Sequence, residues 1–304
     1  MPNINDSEIE ICYIFLVSKV KVLKASKLHE NFGLQWNKFR TTQLDSKNGT
    51  EISLKRLERI IGKNYKDSLK GKRVLEVGCG AGRFSEILVQ HAKELVCIDA
   101  SNAIFACEET LSGFNNVDFY LSTIEEFVTR DKKFDVIFCV GVLQHTKNYK
   151  SNLSALVGLL KPGGLIYLDF YRWKWKNLPP PIGGAGNVFR FFVKYLKAAQ
   201  SFAVVEKVVK FFYPIHWKFR SSWVLQQILF RISPVRFYYP WLGLQDKESY
   251  YQWALLDTYD GSTDRYKHRT TLRKFSKLLN TLPLTEIQVW VGGNGIESRA
   301  RKAN

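Results

Sequence analysis

Apolar residues in the central half of the chain form short runs that alternate with segments of helical periodicity. Runs of branched and aromatic residues, bounded by polar residues or glycine, predict strands at 74–77, 95–98, 117–121, 134–140 and 165–171. Helical spacing predicts helices between them at 84–92, 102–111 and 124–129. Such alternation favours a parallel sheet with helices on both faces, so we predict an α/β fold.

A glycine cluster follows the first of these strands. Gly78, Gly80 and Gly82 leave the turn without side chains, so backbone N–H groups at the start of the next helix are open to a ligand. The second strand ends on Asp99, where a carboxylate can accept hydrogen bonds from a ribose diol. These features predict a nucleoside site. Glycine-rich turns also occur for packing alone, and this alternative stays open.

The spacing of the glycines separates two kinds of nucleoside site. A dinucleotide fingerprint requires G-x-G-x-x-G, whereas this chain has G-C-G-A-G after Glu76. The stretch 72–99 instead resembles the first motif of class I S-adenosylmethionine-dependent methyltransferases, hydrophobic-hydrophobic-acid-hydrophobic-G-x-G-x-G. The resemblance implies S-adenosyl-L-methionine as cofactor, with Glu76 and the turn on its methionine end and Asp99 on its ribose. The other cofactor contacts that we expect are Cys79, Ala100, Thr123, Ile124 and Val140.

Two later segments extend this resemblance. FDVIFCVGVLQHT, residues 134–146, resembles the family's fourth strand and the loop that frames the transferable methyl group. LKPGG, residues 160–164, resembles the turn into its fifth strand. The third strand of the family usually ends in Gly-Asp, with the acid on the adenine amino group, and Ser122-Thr123 stands here instead. Thr123 can accept the same hydrogen bond but carries no charge, which predicts weaker cofactor binding.

The segment before the glycine turn resembles a narrower group. The phrase FG-x-QW-x-x-F-x-x-TQLDS, residues 32–46, is similar to the entry segment of bacterial methyltransferases linked to surface polysaccharide or other small-molecule modification. The phrases LLDTYD, residues 255–260, and RYKH, residues 265–268, resemble that group as well. We interpret the first segment as a cap over the cofactor mouth, with Trp36, Arg40 and Gln43 facing the acceptor. The alternative is that Trp36 and Phe39 anchor the segment to the core.

Candidate chemistry lies at two strand ends. His145 follows the fourth predicted strand near the inferred methyl group, where an imidazole can take a proton from an acceptor hydroxyl. Asp169 and Tyr171, at the end of the next strand, are further candidates for the acceptor side. Methyl transfer is an in-line displacement that positioning can accelerate without a base. A role of His145 in shaping the loop or packing on the cofactor therefore stays open.

Residues 172–242 interrupt the alternation of strands and helices. They carry 18 of the 43 aromatic residues and a single acid, Glu206, against twelve Lys or Arg. Helical spacing predicts one or two basic amphipathic helices within 188–212. Such helices can lie on an anionic membrane, or their aromatics can pack inward and leave the cations in solvent. We expect this insertion to cover the acceptor pocket as a lid.

Composition restricts the remaining possibilities. The 304 residues carry a net charge of +17, which allows nucleic acid, anionic membrane and acidic small molecules as partners. The five cysteines form no C-x-x-C pair and the five histidines are scattered, so we predict buried reduced thiols and no metal. The apolar run 11–17 is too short to span a bilayer and its flanks do not suit a signal peptide. We therefore expect a cytoplasmic protein.

The complete prediction is a Rossmann-like, seven-stranded sheet of the class I methyltransferase type, with its last strand antiparallel. We divide the chain into an N-terminal cap (1–62), a cofactor-binding core (63–171), a helical lid inserted after the fifth strand (172–250) and the end of the core sheet (251–304). The resemblance implies methyl transfer to a hydroxyl of a small-molecule, sugar or glycolipid precursor. Alternatives are a lipid-soluble, quinone-like acceptor, RNA, and cofactor binding without catalysis. RNA ranks lower because no RNA-binding module is visible.

Overall fold

The structure is a computed structural model that describes residues 18–23, 30–128, 133–293 and 295–304. It is built around one sheet, whose strands are β1 (Val20–Val22), β2 (Arg73–Val77), β3 (Glu94–Asp99), β4 (Val117–Leu121), β5 (Phe134–Cys139), β6 (Leu160–Tyr171), β7 (Leu284–Gly292) and β8 (Gly295–Lys302). Their order across the sheet is β1-β4-β3-β2-β5-β6-β8-β7. Strands β1 to β6 pair in parallel, and β8 runs antiparallel to both of its neighbours.

The sheet has eight strands, and not the seven that the sequence predicts. The additional strand, β1, pairs with the edge strand β4 over three residues, beginning with Val20 opposite Phe119. Lysines alternate with valines in this segment, so it has no apolar run to indicate a strand. Short, charged strands of this kind are typical of sheet edges. The antiparallel last strand agrees with the prediction, while the apolar run 11–17 lies outside the described residues.

Helices cover both faces of the sheet and continue beyond it. They are α1 (Glu30–Lys38), α2 (Asp45–Asn48), α3 (Ile52–Ile61), α4 (Tyr65–Leu69), α5 (Ser85–Leu88), α6 (Ala103–Thr110), α7 (Ile124–Phe127), α8 (Tyr149–Leu159), α9 (Ala185–Val193), α10 (Ala198–Lys218), α11 (Trp223–Ile232), α12 (Lys247–Thr263) and α13 (Leu272–Leu279). Short 3₁₀ turns occupy Leu143–His145 and Trp175–Asn177. No helix of the described residues is long and apolar enough to cross a membrane.

Alternate residues of the strands supply two separate cores. Val74 and Leu95 point to one face and pack with helices α3 to α6, whereas Leu75 and Val96 point to the other face and pack with α7, α8 and α13. This division follows from the two-residue period of a β-strand. Because both faces are covered, ligands can reach the sheet only at its edges and at the ends of its strands.

A third core joins the cap, the lid and α12 rather than the sheet. Phe39 from the cap, Phe202 from the lid and Tyr259 from α12 meet in it, with ring centroids of Phe39 and Phe202 6.2 Å apart. The sequence assigns residues from 251 onward to the core sheet, but α12 packs on the cap and the lid. The lid contains three helices: α9 and α10 account for the one or two predicted within 188–212, and α11 follows beyond that range. Cap, lid and α12 thus form one layer over the carboxyl ends of the strands.

One ion pair with a buried carboxylate connects α3 to β8. Arg59 on α3 donates two hydrogen bonds to the Glu297 carboxylate on β8, at 2.8 and 2.7 Å. Trp290 Nε1 and the Gly293 N–H also donate to that carboxylate, which is fully buried. Burial raises the pKa of Glu297, but the hydrogen bonds from Arg59 outweigh it and hold this pKa below its usual value. Glu297 therefore stays ionised in the folded protein.

We expect Arg59→Ala to lower the free energy of unfolding at pH 7 by about 2 kcal/mol, because a buried carboxylate loses a partly solvated charged donor. Since the pKa of Glu297 is lowered by folding, this contribution is present above the unfolded pKa of about 4.3 and is lost as the pH falls below it. Urea denaturation followed by circular dichroism measures both effects. Lys55→Ala on the same helix is the control, because its partner Glu51 is exposed. Equal losses of unfolding free energy in the two variants at pH 7 would contradict a stabilising role of the Arg59–Glu297 pair.

Candidate active site

The glycine turn lies where the strand order reverses. The chain leaves β2 toward β3 and β4 on one side and returns through β5 and β6 on the other, and ligands bind at such a point in open α/β sheets. Gly78, Gly80 and Gly82 have φ values of +70°, +56° and +98°, in the left-handed region. A Cβ on Gly78 would come within 2.3 Å of the Val142 side chain. The loops after β2 and β5 therefore touch across the crevice.

Asp99 is fixed beside this turn. Its Oδ2 accepts a hydrogen bond from the Gly80 N–H at 2.9 Å, and its Oδ1 accepts from the Ser101 N–H and hydroxyl at 2.9 and 2.6 Å. A carboxylate offers about four acceptor sites, so ribose hydroxyls can add to these partners or replace them. The geometry fits the ribose of S-adenosylmethionine, since the acid and the side-chain-free turn lie within one hydrogen bond of each other.

The cap lies over the same turn. A Cβ on Gly80 would be 3.3 Å from the Trp36 indole, so the ring packs against the open side of the turn. Gly33 allows α1 to approach Asn102 closely, and Asn37 donates to the Asn102 side chain at 3.1 Å. Trp36 therefore contacts the cofactor turn, where the sequence analysis expected it to face the acceptor. Trp36 also packs against the third core, so the structure shows its anchoring role, and the ligand-facing role stays a prediction.

Two residues expected to contact the cofactor are engaged elsewhere. Glu76 is 2% exposed and accepts a hydrogen bond from the Ser85 hydroxyl at 2.5 Å. Burial raises its pKa well above the usual value, helped by Cys107 and Asp99, and Glu76 supports the turn through its contact with Ser85. Thr123 caps α7, with its hydroxyl accepting from the Glu126 N–H and its own N–H donating to the Glu126 carboxylate. The Thr123 hydroxyl thus caps a helix, and its contact with the cofactor stays a prediction.

The remaining predicted cofactor residues line the strand ends. Ile124 and Val140 are buried apolar side chains after β4 and β5, Ala100 is half-buried beside Asp99, and Gly82 packs against Thr110. They provide apolar surface at the edge where the turn opens. The carboxyl ends of β2 to β5 thereby converge as the sequence predicts, although the polar contacts at Glu76 and Thr123 differ.

Three cysteines converge behind the turn, which their spacing in the sequence does not indicate. The sulfur atoms of Cys79, Cys97 and Cys107 lie within 4.8 Å of one another, and all three side chains are buried. Burial raises the pKa of Cys79 and Cys97 well above the usual value, which favours the thiol form. Their shared position between β3, α6 and the turn is that of core packing groups.

On the acceptor side, His145 joins three parts of the chain. It ends the 3₁₀ turn after β5, its Nδ1 lies 3.2 Å from Asp264 Oδ2, and its Nε2 lies 3.2 Å from the Tyr171 hydroxyl on β6. Phe32 of the cap packs edge-on against the imidazole at 5.4 Å between ring centroids. Nδ1 also lies 3.3 Å from the Tyr266 carbonyl oxygen, to which Nδ1–H can donate, and the Nε2 lone pair can then accept from the Tyr171 hydroxyl or serve as a general base.

Asp264, which the sequence analysis missed, organises this cluster. Its buried carboxylate lies 2.7 Å from Arg190 Nε on α9 and 3.0 Å from Lys267 Nζ, in addition to His145. Burial raises the pKa of Asp264, but Lys267, His145 and Arg190 outweigh it and hold the pKa far below its usual value. Burial lowers the pKa of Lys267 to about 8. The only sequence signal was its place between the LLDTYD and RYKH phrases.

Polar side chains cluster between Tyr171 and α12, and we infer from this cluster where an acceptor recess lies. Tyr238 is 39% exposed, and burial raises its pKa to about 12. Burial and the neighbouring Asp260 raise the pKa of Asp257 to about 6. Arg236 lies flat on α12, since a Cβ on Gly261 would be 2.0 Å from its guanidinium carbon. Carboxylates, a guanidinium and a phenol together suit a ligand rich in hydroxyl groups.

Three predicted acceptor residues do not face this recess. Asp169 is fully buried, accepts from the Gly141 N–H at 2.6 Å and pairs with Arg56, so it holds the loop after β5. Gln43 is buried and accepts from Arg83 at 2.7 Å. The third, Arg40, pairs with Glu109 on the outer surface of α6. Each finds a charged or polar partner far along the chain, which the local sequence does not show.

The strand order, the glycine turn and its neighbouring acid define an α/β domain that binds a nucleoside cofactor. Residues 75–168 match the family described as a methyltransferase domain. This part of the chain is therefore a class I, S-adenosylmethionine-dependent methyltransferase domain, which confirms the class and the cofactor that the sequence predicts.

Curated relatives match about half of the chain. A ubiquinone biosynthesis O-methyltransferase of Bradyrhizobium sp. (strain ORS 278) is 30% identical over 145 residues, which are 47% of this chain and 57% of that protein. The enzyme of that name from Pasteurella multocida (strain Pm70) is 33% identical over 140 residues, 42% of this chain and 58% of that protein. The chain thus spans less than two thirds of the length of either relative.

Among solved structures, the chain is similar to the Burkholderia thailandensis 1,6-didemethyltoxoflavin-N1-methyltransferase with bound 1,6-didemethyltoxoflavin and S-adenosylhomocysteine. The sequence identity is 13%, the TM-score is 0.48, and 92% of each chain is covered. A similarity at this level gives no information about the methyl acceptor of this protein.

We expect Gly80→Val and Asp99→Ala to weaken S-adenosylmethionine binding while the protein stays folded. A side chain at Gly80 would strain the left-handed turn and press on Trp36, and removal of the Asp99 carboxylate would cost about 1–3 kcal/mol of binding free energy through unpaired hydroxyls. Isothermal titration calorimetry measures both. Gly158→Val is the control, because Gly158 lies in α8 with open space around it. Wild-type affinity in both site variants would refute the cofactor site.

Proposed function

We propose that this protein transfers the methyl group of S-adenosylmethionine to a hydroxyl group of a small-molecule, sugar or glycolipid-precursor acceptor. The observation that carries the proposal is the contact chain Tyr171–His145–Asp264 next to the glycine turn. Val142 packs on Gly78 and His145 follows three residues later, so the base candidate belongs to the loop that touches the turn. A base candidate in the loop beside a cofactor turn supports transfer to a hydroxyl.

Each group of this chain has a distinct task in the proposed reaction. When bound, S-adenosylmethionine supplies an electrophilic methyl group on a sulfonium centre. The glycine turn and Asp99 hold and orient it, and Trp36 covers the turn. The Tyr266 carbonyl and Asp264 lie beside His145 Nδ1 and favour a proton there, so Nε2 can take the proton of the acceptor hydroxyl in place of its contact with the Tyr171 hydroxyl. The cap and the lid exclude water from the recess.

Two alternatives have specific support. The relatives are named for ubiquinone biosynthesis, and the lid carries an apolar groove of about 430 Å³ lined by residues that include Phe189, Phe192 and Phe212, which would suit a quinone-like acceptor. RNA would use the basic, aromatic lid as a stacking surface. Hydroxyl-rich acceptors remain our first proposal because charged and polar groups, including Arg236, Tyr238 and Asp257, line the recess.

The acceptor can be identified by mass spectrometry of cells with and without the gene. We expect a glycolipid or sugar precursor to gain the mass of one methyl substitution only when the gene is present. A catalytically impaired His145→Ala copy at the same expression level is the control, since it retains the fold and the cofactor. A gain confined to quinones or to RNA would replace the proposed acceptor class, and unchanged spectra in every fraction would favour cofactor binding without catalysis.

With that acceptor, His145→Ala should reduce turnover by about 10²–10⁴-fold, because the proton of the hydroxyl loses its acceptor. The affinity for S-adenosylmethionine, measured by calorimetry, should stay close to that of the wild type. His91→Ala, at a partly exposed position against Tyr65, controls for loss of an imidazole elsewhere. Loss of cofactor binding would make His145 part of the cofactor loop, and a rate within a few-fold of wild type would remove it from the mechanism.

We further propose that the protein is cytoplasmic and contacts the inner membrane face peripherally through residues 188–212. This proposal is independent of the acceptor, since it is based on the exposed side chains of the lid. A lipid-linked acceptor would make such contact useful, because the enzyme would meet its substrate at the bilayer surface.

A further inference from the structure

The lid helices bury little of their apolar surface. Of the nine residues of α9 and the ten of α11, only Val193 and Leu229 respectively are buried, although both sequences are rich in aromatic and branched side chains. Helix α12, which packs between lid and cap, buries ten of its seventeen residues. The lid therefore has apolar side chains that are not buried in the protein interior.

We call the set of these exposed side chains the lid face. It comprises the exposed large apolar side chains of α9 to α11 and of the loop after them: Val188, Phe191, Phe192, Tyr195, Val204, Phe211, Ile215, Trp223, Val224, Ile228, Ile232 and Trp241. Phe211, Trp223 and Trp241 are 69%, 72% and 86% exposed. Soluble monomers rarely expose apolar patches of this extent, so the lid face is expected to meet a partner.

The amphipathic pattern of α10 shows which side faces outward. Val205, Val209 and Tyr213 recur every four residues and are buried against the third core, whereas Val204, Phe211 and Ile215 lie on the opposite, exposed side. On α11, Val224, Ile228 and Ile232 recur every four residues and are all exposed. The inward packing of aromatics that the sequence left open applies to Phe202 and Tyr213, but not to this outer side.

Positive charge surrounds the lid face. Lys197, Lys207, Lys210 and Lys218 are exposed on or beside α10, and Lys194 lies 4.5 Å from the centre of the Tyr195 ring. Glu206, the single acid of residues 172–242, is 3.5 Å from Lys210. The surface thus combines apolar bulk with uncompensated cations, which complements the headgroups and the upper acyl region of an anionic bilayer.

We propose that the lid face docks on the surface of an anionic phospholipid bilayer. Its aromatic side chains would lie at the headgroup level, and its aliphatic row on α11 would enter the acyl boundary. No described helix can span the bilayer, so the contact is interfacial. A nucleic acid offers bases for stacking but no apolar phase for Val224, Ile228 and Ile232, and therefore fits the lid face less well.

Docking would bring the recess to the membrane. Arg190 on α9 holds Asp264, which contacts His145, so the helix that contributes Phe191 and Phe192 to the lid face also contacts the acceptor side. An acceptor carried by a lipid could then reach the recess from the bilayer surface. Docking itself needs neither acceptor nor methyl transfer, and it can be tested without them.

The test is flotation of the full chain with vesicles of phosphatidylcholine alone or mixed with phosphatidylglycerol, without cofactor or acceptor. We expect recovery with the anionic vesicles at low salt and its loss at high salt, since the headgroup attraction is screened. Lys207→Glu with Lys210→Glu should weaken apparent binding at least about tenfold. Lys274→Glu with Lys277→Glu on α13 changes the charge equally at exposed positions outside the lid and should leave binding unchanged.

A second double variant tests the contribution of the apolar side chains to vesicle binding. Phe211→Ser with Trp223→Ser should reduce flotation at least about tenfold, and Val291→Ser, an exposed apolar position on β7, should not. Both positions are exposed, so thermal melting should stay that of the wild type. Equal recovery in the supernatant with both vesicle types at low salt would overturn the proposal. So would a dimer in sedimentation that the serine variant dissociates, or RNA binding without vesicle binding.

Discussion

The buried carboxylate of Asp264 is the interaction on which the site depends. A charge removed from water is tolerated only when partners replace its hydration, and Arg190, Lys267 and His145 do so from three separate segments. Arg190 belongs to the lid, Lys267 follows α12, and His145 belongs to the loop of the core sheet. The position of the lid and the orientation of the base candidate are therefore set by one group.

The sequence predicted the features that are local. The glycine turn, Asp99 and the loop containing His145 each lie within one strand–turn unit, so spacing alone indicates their positions. Because parallel strands place their carboxyl ends on one edge, the convergence of Gly80, Asp99 and His145 follows from the α/β alternation. For the same reason the parallel pairing of strands β2 to β6 was accessible before the structure.

Features set by distant pairing were not predictable. Asp169 and Tyr171 occupy the same strand end, yet Arg56 from the cap neutralises Asp169 and leaves only Tyr171 at the recess. Asp264 carries no motif and becomes important only through partners 3 to 119 residues away. Strand β1 depends on pairing with β4 rather than on its own apolar content. The third lid helix, and the packing of α12 with the cap and the lid rather than with the sheet, likewise depend on tertiary contacts.

The contact between Gly78 and Val142 changes how the glycine motif should be interpreted across related sequences. Glycine is required at position 78 because the opposite loop occupies the volume of a side chain, and this demand exists whether or not a ligand is bound. A descendant that lost catalysis would still be selected for glycine there as long as the two loops stayed packed. Retention of Gly78 therefore indicates that the two loops still pack together. Loss of activity during evolution would appear first as substitutions of Asp99 or His145.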